Sequence, residues 1–102
     1  MAITLQVLYP VADGTHFNDA YYASTHMNLV TEHMGQHIQH AVVTKGMAGG
    51  PDTPPAFHAI ATFVFADKNA LDATLAASAP VLADIPNFTN ATPQMLIGQM
   101  YA

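Results

Sequence analysis

Residues Phe57 to Phe65 restrict the possible folds more than any other stretch. They alternate as a β-strand does, with Phe57, Ala59, Ala61, Phe63 and Phe65 on one side. The opposite side is also largely apolar, because it carries Ile60 and Val64. An antiparallel sheet with helices on one face normally turns polar residues outward on the other. A strand apolar on both sides must be covered twice, once by its own chain and once by something else. The cheapest second cover is the same face of another copy, which predicts a homodimer built as a two-sheet barrel. Composition points the same way. Of 102 residues, 51% are hydrophobic and only 9% charged, against ~25% charged in an average soluble domain.

The rest of the chain supplies such a sheet. Ile3 to Tyr9 alternates as a strand and is punctuated by Pro10 to Gly14. A helix is expected from near His16, capped by Thr15 or Asp13, with Phe17, Tyr21 and Ser24 sharing a face. A second helix, Asn28 to Met34, should end at Gly35 as a left-handed C-cap. Ile38 to Lys45 reads as the second strand. The run from Gly46 to Pro55 is a Gly- and Pro-rich loop. Asp67 should cap a helix from Lys68 to about Ser78, with Leu71 and Leu75 facing the core. Pro80 to Leu82 adds a turn, Ile85 to Phe88 a loop, and Gln94 to Tyr101 the last strand. The expected fold is α+β: a ferredoxin-like βαββαβ antiparallel sheet with helices on one face, in a single domain over residues 1–102.

The charges exclude several functions. The net charge is −5, Lys45 and Lys68 are the only basic residues besides histidine, and Arg is absent. Nucleic-acid binding needs clustered Lys and Arg, so it is not expected. The chain has no Cys, which removes disulfides and thiolate metal sites. No apolar run reaches the ~18 residues of a membrane span. The first ten residues lack the basic stretch of a secretory signal, so a cytoplasmic location is expected.

The densest chemistry lies between Phe17 and Leu29. Tyr22 and His26 are four residues apart and would meet on one helix. A phenol beside an imidazole in an apolar setting can orient a hydroxyl or carbonyl ligand and move a proton near neutral pH. The plainer alternative is that His26 sits at a helix end, bonded to backbone. His26, His33, His37 and His40 would share a face on one unbroken helix. Gly35 and the β-branched residues beyond it argue against such a helix, no Asp or Cys accompanies the four, and no metal site is expected. His16 and His58 look isolated. Most of the methionines are expected to fill core. No glycine-rich phosphate loop follows a strand, and no Ser or Cys nucleophile has an evident partner.

Phe17, Tyr21, Tyr22, His26 and Leu29 match the pattern Phe-Asp-x-Tyr-Tyr-x-x-x-His-x-Pro-Leu. Asn18 and Asn28 stand where Asp and Pro are usual. With the opening Val7-Leu8-Tyr9-Pro10, the Lys45 to Gly50 segment and Ala83 to Thr89, the sequence resembles the EthD family along essentially its whole length. That family is named after an accessory protein of ethyl tert-butyl ether degradation. The resemblance implies a dimeric α+β barrel with a pocket between helices and sheet, faced by His26. It implies a small-molecule-binding protein: a cofactor-free enzyme of oxidoreductase, dehydratase or isomerase type, or an accessory protein. Its ligand would be apolar and oxygen-bearing. His26 would be the acid–base group, and Tyr22 or Tyr9 the hydrogen-bond donor. Phe17 and Phe88 would wall the pocket, with Tyr21 also at the ligand. Asn28 in place of proline implies a less rigid turn after His26. Two alternatives are a non-catalytic carrier using the same pocket and a haem-binding barrel. The latter is disfavoured by the shortage of basic residues to meet the propionates.

Overall fold

The computed structural model describes residues 2–102; Met1, the first residue of the expected single-domain span, lies outside them. Four strands form one sheet in the order β2-β3-β1-β4. They are β1 (Ile3–Pro10), β2 (His40–Lys45), β3 (Phe57–Phe65) and β4 (Gln94–Gln99). Every neighbouring pair is antiparallel. This is the ferredoxin-like α+β fold that the alternation predicts.

Alternation decides which residues enter the core. Leu5, Val7 and Tyr9 of β1 and Ala59, Ala61, Phe63 and Phe65 of β3 are all buried on one face. The register sets Leu5 opposite Phe63 and Val7 opposite Ala61. The other face of these two strands carries Thr4, Gln6, Leu8, Ile60, Thr62 and Val64, all partly exposed. There Gln6 Nε2 donates to Thr62 Oγ1 at 3.1 Å. β4, an edge strand, is uncovered on both sides, with Leu96 56% and Ile97 55% exposed.

The first helical run is α1 (Asp19–Tyr21), a π-helical turn (Tyr22–His26) and α2 (Met27–Met34) in unbroken succession. It starts later than the sequence suggests. Asn18 is the cap, its side chain accepting from the Tyr21 N–H at 3.1 Å. Thr15 is engaged elsewhere: its hydroxyl donates to the Ala12 carbonyl at 2.7 Å and lies 3.0 Å from His58 Nε2. His16 to Asn18 are instead stitched to 88–90. The Asn18 N–H donates to the Phe88 carbonyl, the His16 N–H to Asn90 Oδ1, and Thr89 Oγ1 to the His16 carbonyl. Extended backbone held in this way cannot also be helical. His58 is therefore not isolated, and its ring also stacks on Phe17.

Gly35 has φ −68°, not a left-handed value, because the chain continues right-handed into a 3₁₀ turn (Gly35–His37). That break separates His37 and His40 from α2. No turn follows His26 either, since Asn28 lies inside the helix. After β3, Asp67 Oδ1 accepts from the Ala70 N–H at 2.8 Å and starts α3 (Lys68–Ala76), as expected. The turn anticipated at Pro80 is a longer helix, α4 (Ala79–Asp84), running into a 3₁₀ turn (Ile85–Asn87). β4 stops at Gln99 rather than Tyr101. Between β2 and β3, any side chain on Gly46 would collide with the Phe57 carbonyl. That position therefore requires glycine.

Candidate functional site

Tyr22, His26, Val30 and Met34 are buried in one stripe, each four residues from the next. On a regular α-helix a four-residue step drifts by about 40°, so three steps would carry Met34 well away from the direction of Tyr22. The π-helical turn absorbs part of this drift. The Met27 N–H reaches back to the Tyr22 carbonyl, one residue further than in an α-helix. Turns of this kind are rare and recur at functional sites. Here it keeps Tyr22 in line with Val30 and Met34 as well as with His26, and the Tyr22 and His26 rings stack at 5.4 Å and 18°.

His26 is 3% exposed. Its Nδ1 lies 3.0 Å from Oδ2 of Asp84, the last residue of α4. The other carboxylate oxygen accepts the Tyr21 hydroxyl at 2.7 Å and the Asn87 amide at 2.9 Å. Burial pushes the Asp84 carboxyl up. The three donors, with His26 nearby, outweigh burial and hold it below its ordinary value of 3.8. An ionised Asp84 accepts from Nδ1–H, so the neutral ring presents Nε2 as its free lone pair. Burial holds His26 below its ordinary 6.5, against the hydrogen bond and charge of Asp84. The ring is therefore neutral at pH 7 and ready to accept a proton. Among the described residues Nε2 has no hydrogen-bond partner.

His26 borders a cavity of about 100 Å³ between the helices and the sheet. Most of the lining is apolar, from Leu5, Val7, Met27, Val30, Met34, Ala61, Phe63, Leu75, Val81, Leu82, Ile85 and Met95. Its polar members are Tyr9, Tyr22, His26 and Ser78, and among the described residues no Asp, Glu, Lys or Arg lines it. The Ser78 hydroxyl is taken by the Leu75 carbonyl. The hydroxyls of Tyr9 and Tyr22 make no hydrogen bond to another described residue, and neither is fully sealed from the cavity or solvent. Burial, and for Tyr9 also the neighbouring Tyr22, raises both phenols, Tyr22 to about 12 and Tyr9 further still. Both are donors throughout the physiological range.

Three residues expected at the ligand stand behind this cavity. Phe88 packs at 4.5 Å from the His26 ring and 5.6 Å from Tyr9. Phe17 is wedged against Tyr9, Tyr22 and Phe88. Tyr21 spends its hydroxyl on Asp84. Sequence reasoning missed Asp84 and Asn87, and the statement that no acid accompanies the histidines fails for His26. A signal existed, since Asp84 is the one acid after Asp72 and sits in the apolar run Val81-Leu82-Ala83-Asp84-Ile85. His33, His37 and His40 do not converge with His26, and no metal-holding cluster of His, Asp, Glu or Cys occurs among the described residues. No helix among these residues is long and apolar enough to cross a membrane.

A fold of this class with a histidine-faced pocket can be compared with known proteins. The model of the EthD domain matches residues 15–92, and the chain belongs to the EthD family. It is similar to the crystal structure of an EthD-like protein from Ralstonia eutropha JMP134. The two are 33% identical, with a TM-score of 0.86 over 99% of this chain and 93% of that one. An EthD family protein from Bacillus halodurans C-125 is 19% identical, with a TM-score of 0.78 over 98% and 99%. SnoaB, a cofactor-independent oxygenase from Streptomyces nogalater, shares the fold at 10% identity, with a TM-score of 0.64 over 99% and 93%. No curated protein matches the sequence significantly.

Proposed function

We propose that this protein binds a small, uncharged, apolar molecule bearing an oxygen function and moves a proton on it with His26, without a cofactor. The observation that carries the reading is the dyad. Asp84 fixes the proton of His26 on Nδ1 and leaves a neutral Nε2 at an apolar cavity. His26 takes a proton from the ligand, and Asp84 stabilises the imidazolium that forms. The hydroxyl of Tyr9 or Tyr22 donates to the ligand oxygen as negative charge develops there. Return of the proton to a different atom gives an isomer, and return to a departing hydroxyl releases water. The cofactor-independent oxygenase on this fold supports the idea that such a cavity can host chemistry without a bound cofactor. We also propose that the working form is a homodimer joined through the open face of the sheet.

Acetone is small enough to test the dyad. Loss of deuterium from hexadeuteroacetone to water, followed by NMR, should be faster with the native protein than without it. Asp84→Asn should slow it by about 10²-fold, within the range of general-base effects. An amide at this position donates to Nδ1 and forces the proton onto Nε2. His26→Ala should abolish the exchange while the chain stays folded. Exchange indifferent to both substitutions would leave a carrier that uses the same pocket.

A further inference from the structure

A second hollow lies beside the cavity. It is a cleft of about 250 Å³ between the π-helical turn and β2, open to solvent. Tyr22 and Met27 line both spaces. The partition between them is thus one aromatic ring, held by its neighbours, and one unbranched thioether. Tyr22 is packed edge-on against Tyr9 and Phe17 and cannot swing freely. Met27 is only half-buried, and its side chain has the rotational freedom to move aside. The cavity alone is smaller than the ~150 Å³ that benzene fills. Joined to the cleft, it reaches the ~300 Å³ at which small-molecule sites begin.

At the cleft, Asp19 Oδ2 and Lys45 Nζ stand 3.2 Å apart, from α1 and β2. Both are well exposed, 52% and 68%, so the pair is weakly held and easily opened. It presents one acceptor and one donor whose charges cancel. A ligand anion would meet the carboxylate, and a ligand cation the ammonium. A neutral hydroxyl satisfies both, donating to Asp19 and accepting from Lys45.

We propose that cavity and cleft form one channel divided by Met27. Its ligand is a linear, uncharged carbonyl compound whose apolar reacting end lies at His26 and whose hydroxyl tail lies between Asp19 and Lys45. The assignment of the reacting end rests on the function proposed above.

The test compares acetone, octan-2-one, 8-hydroxyoctan-2-one and 7-oxooctanoate, each titrated while the His26 ring signals are followed by NMR. The hydroxyketone should bind more tightly than octan-2-one and than the carboxylate, by about tenfold, the equivalent of one hydrogen bond. Asp19→Asn, which leaves Lys45 uncompensated, should reverse the preference in favour of the carboxylate. Ala23 lines the cleft only and is exposed, so Ala23→Trp should fill the cleft without disturbing the core. It should weaken both uncharged eight-carbon ketones about tenfold and leave acetone unchanged. Long ketones that bind no better than acetone, or that ignore Ala23→Trp, would overturn the channel and leave the cavity reading intact. Acetone that fails to move the His26 signals at all would remove both.

Discussion

The Asp84 carboxylate accepts from Tyr21, His26 and Asn87 and so joins residues from two ends of the chain. Its partners give stability a definite pH dependence. His26 in the native state titrates below 6.5. As pH falls past that value the unfolded chain takes up a proton before the native one does, so stability declines with acidification from there. Asp84 is held below 3.8. Its stabilising contribution is present above that value and disappears as pH falls through the native pKa. Thermal melts from about pH 7.5 to about pH 2 should show Tm falling in these two stages, and His26→Gln should flatten the upper stage. An unchanged upper stage in His26→Gln would contradict a buried neutral ring. At this scale the sequence showed half of the site. Tyr22 and His26 are four apart and legible, whereas Asp84 lies 58 positions from His26 and meets it only through the packing of α4.

Elements were legible where a local rule dominates. The alternation of Phe57–Phe65 marks β3 at its true bounds, and Asp67 caps α3 because nothing else claims its side chain. Thr15 obeys the same capping rule on paper but is claimed by Ala12 and His58, contacts that no local pattern reports. The π-helical turn was invisible for a related reason. It arises because four buried side chains must face one cavity, a tertiary demand. Deleting the exposed Ala23 would restore regular α-helical pairing through this turn. Helical content by circular dichroism should then hold, but Tyr22 and His26, now three residues apart, would diverge by about 60° and lose their stacking, and the acetone-induced shift of the His26 signals should vanish. Retention of that shift would show that the widened turn is not what aims the pair.

At the scale of the whole molecule, the reading of β3 as two-faced gave both the core and the expectation of a partner. Phe63 and Val64 separate the two roles. Phe63 is 3% exposed, in the core beneath the helices, while Val64 lies on the open face of the sheet. Phe63→Asp should unfold the chain, because an unpaired buried charge costs several kcal/mol, comparable to the stability of a small domain. Val64→Asp should leave circular dichroism unchanged and halve the sedimenting mass. A native protein that sediments as a monomer at micromolar concentration would refute the dimer.

β1 pairs with β3 on one edge and β4 on the other, and Ile3 stands opposite Gln99. β1 therefore leaves the ribosome well before β4, the strand that completes its hydrogen bonds. Until then Leu5, Val7 and Tyr9 lack their full surroundings, and the earlier strand stays exposed until β4 emerges. Such long-range closure is slow and prone to wrong partners. The sheet consequently closes only once β4 has been made, and the yield in the cell depends on what shields the nascent chain in the meantime.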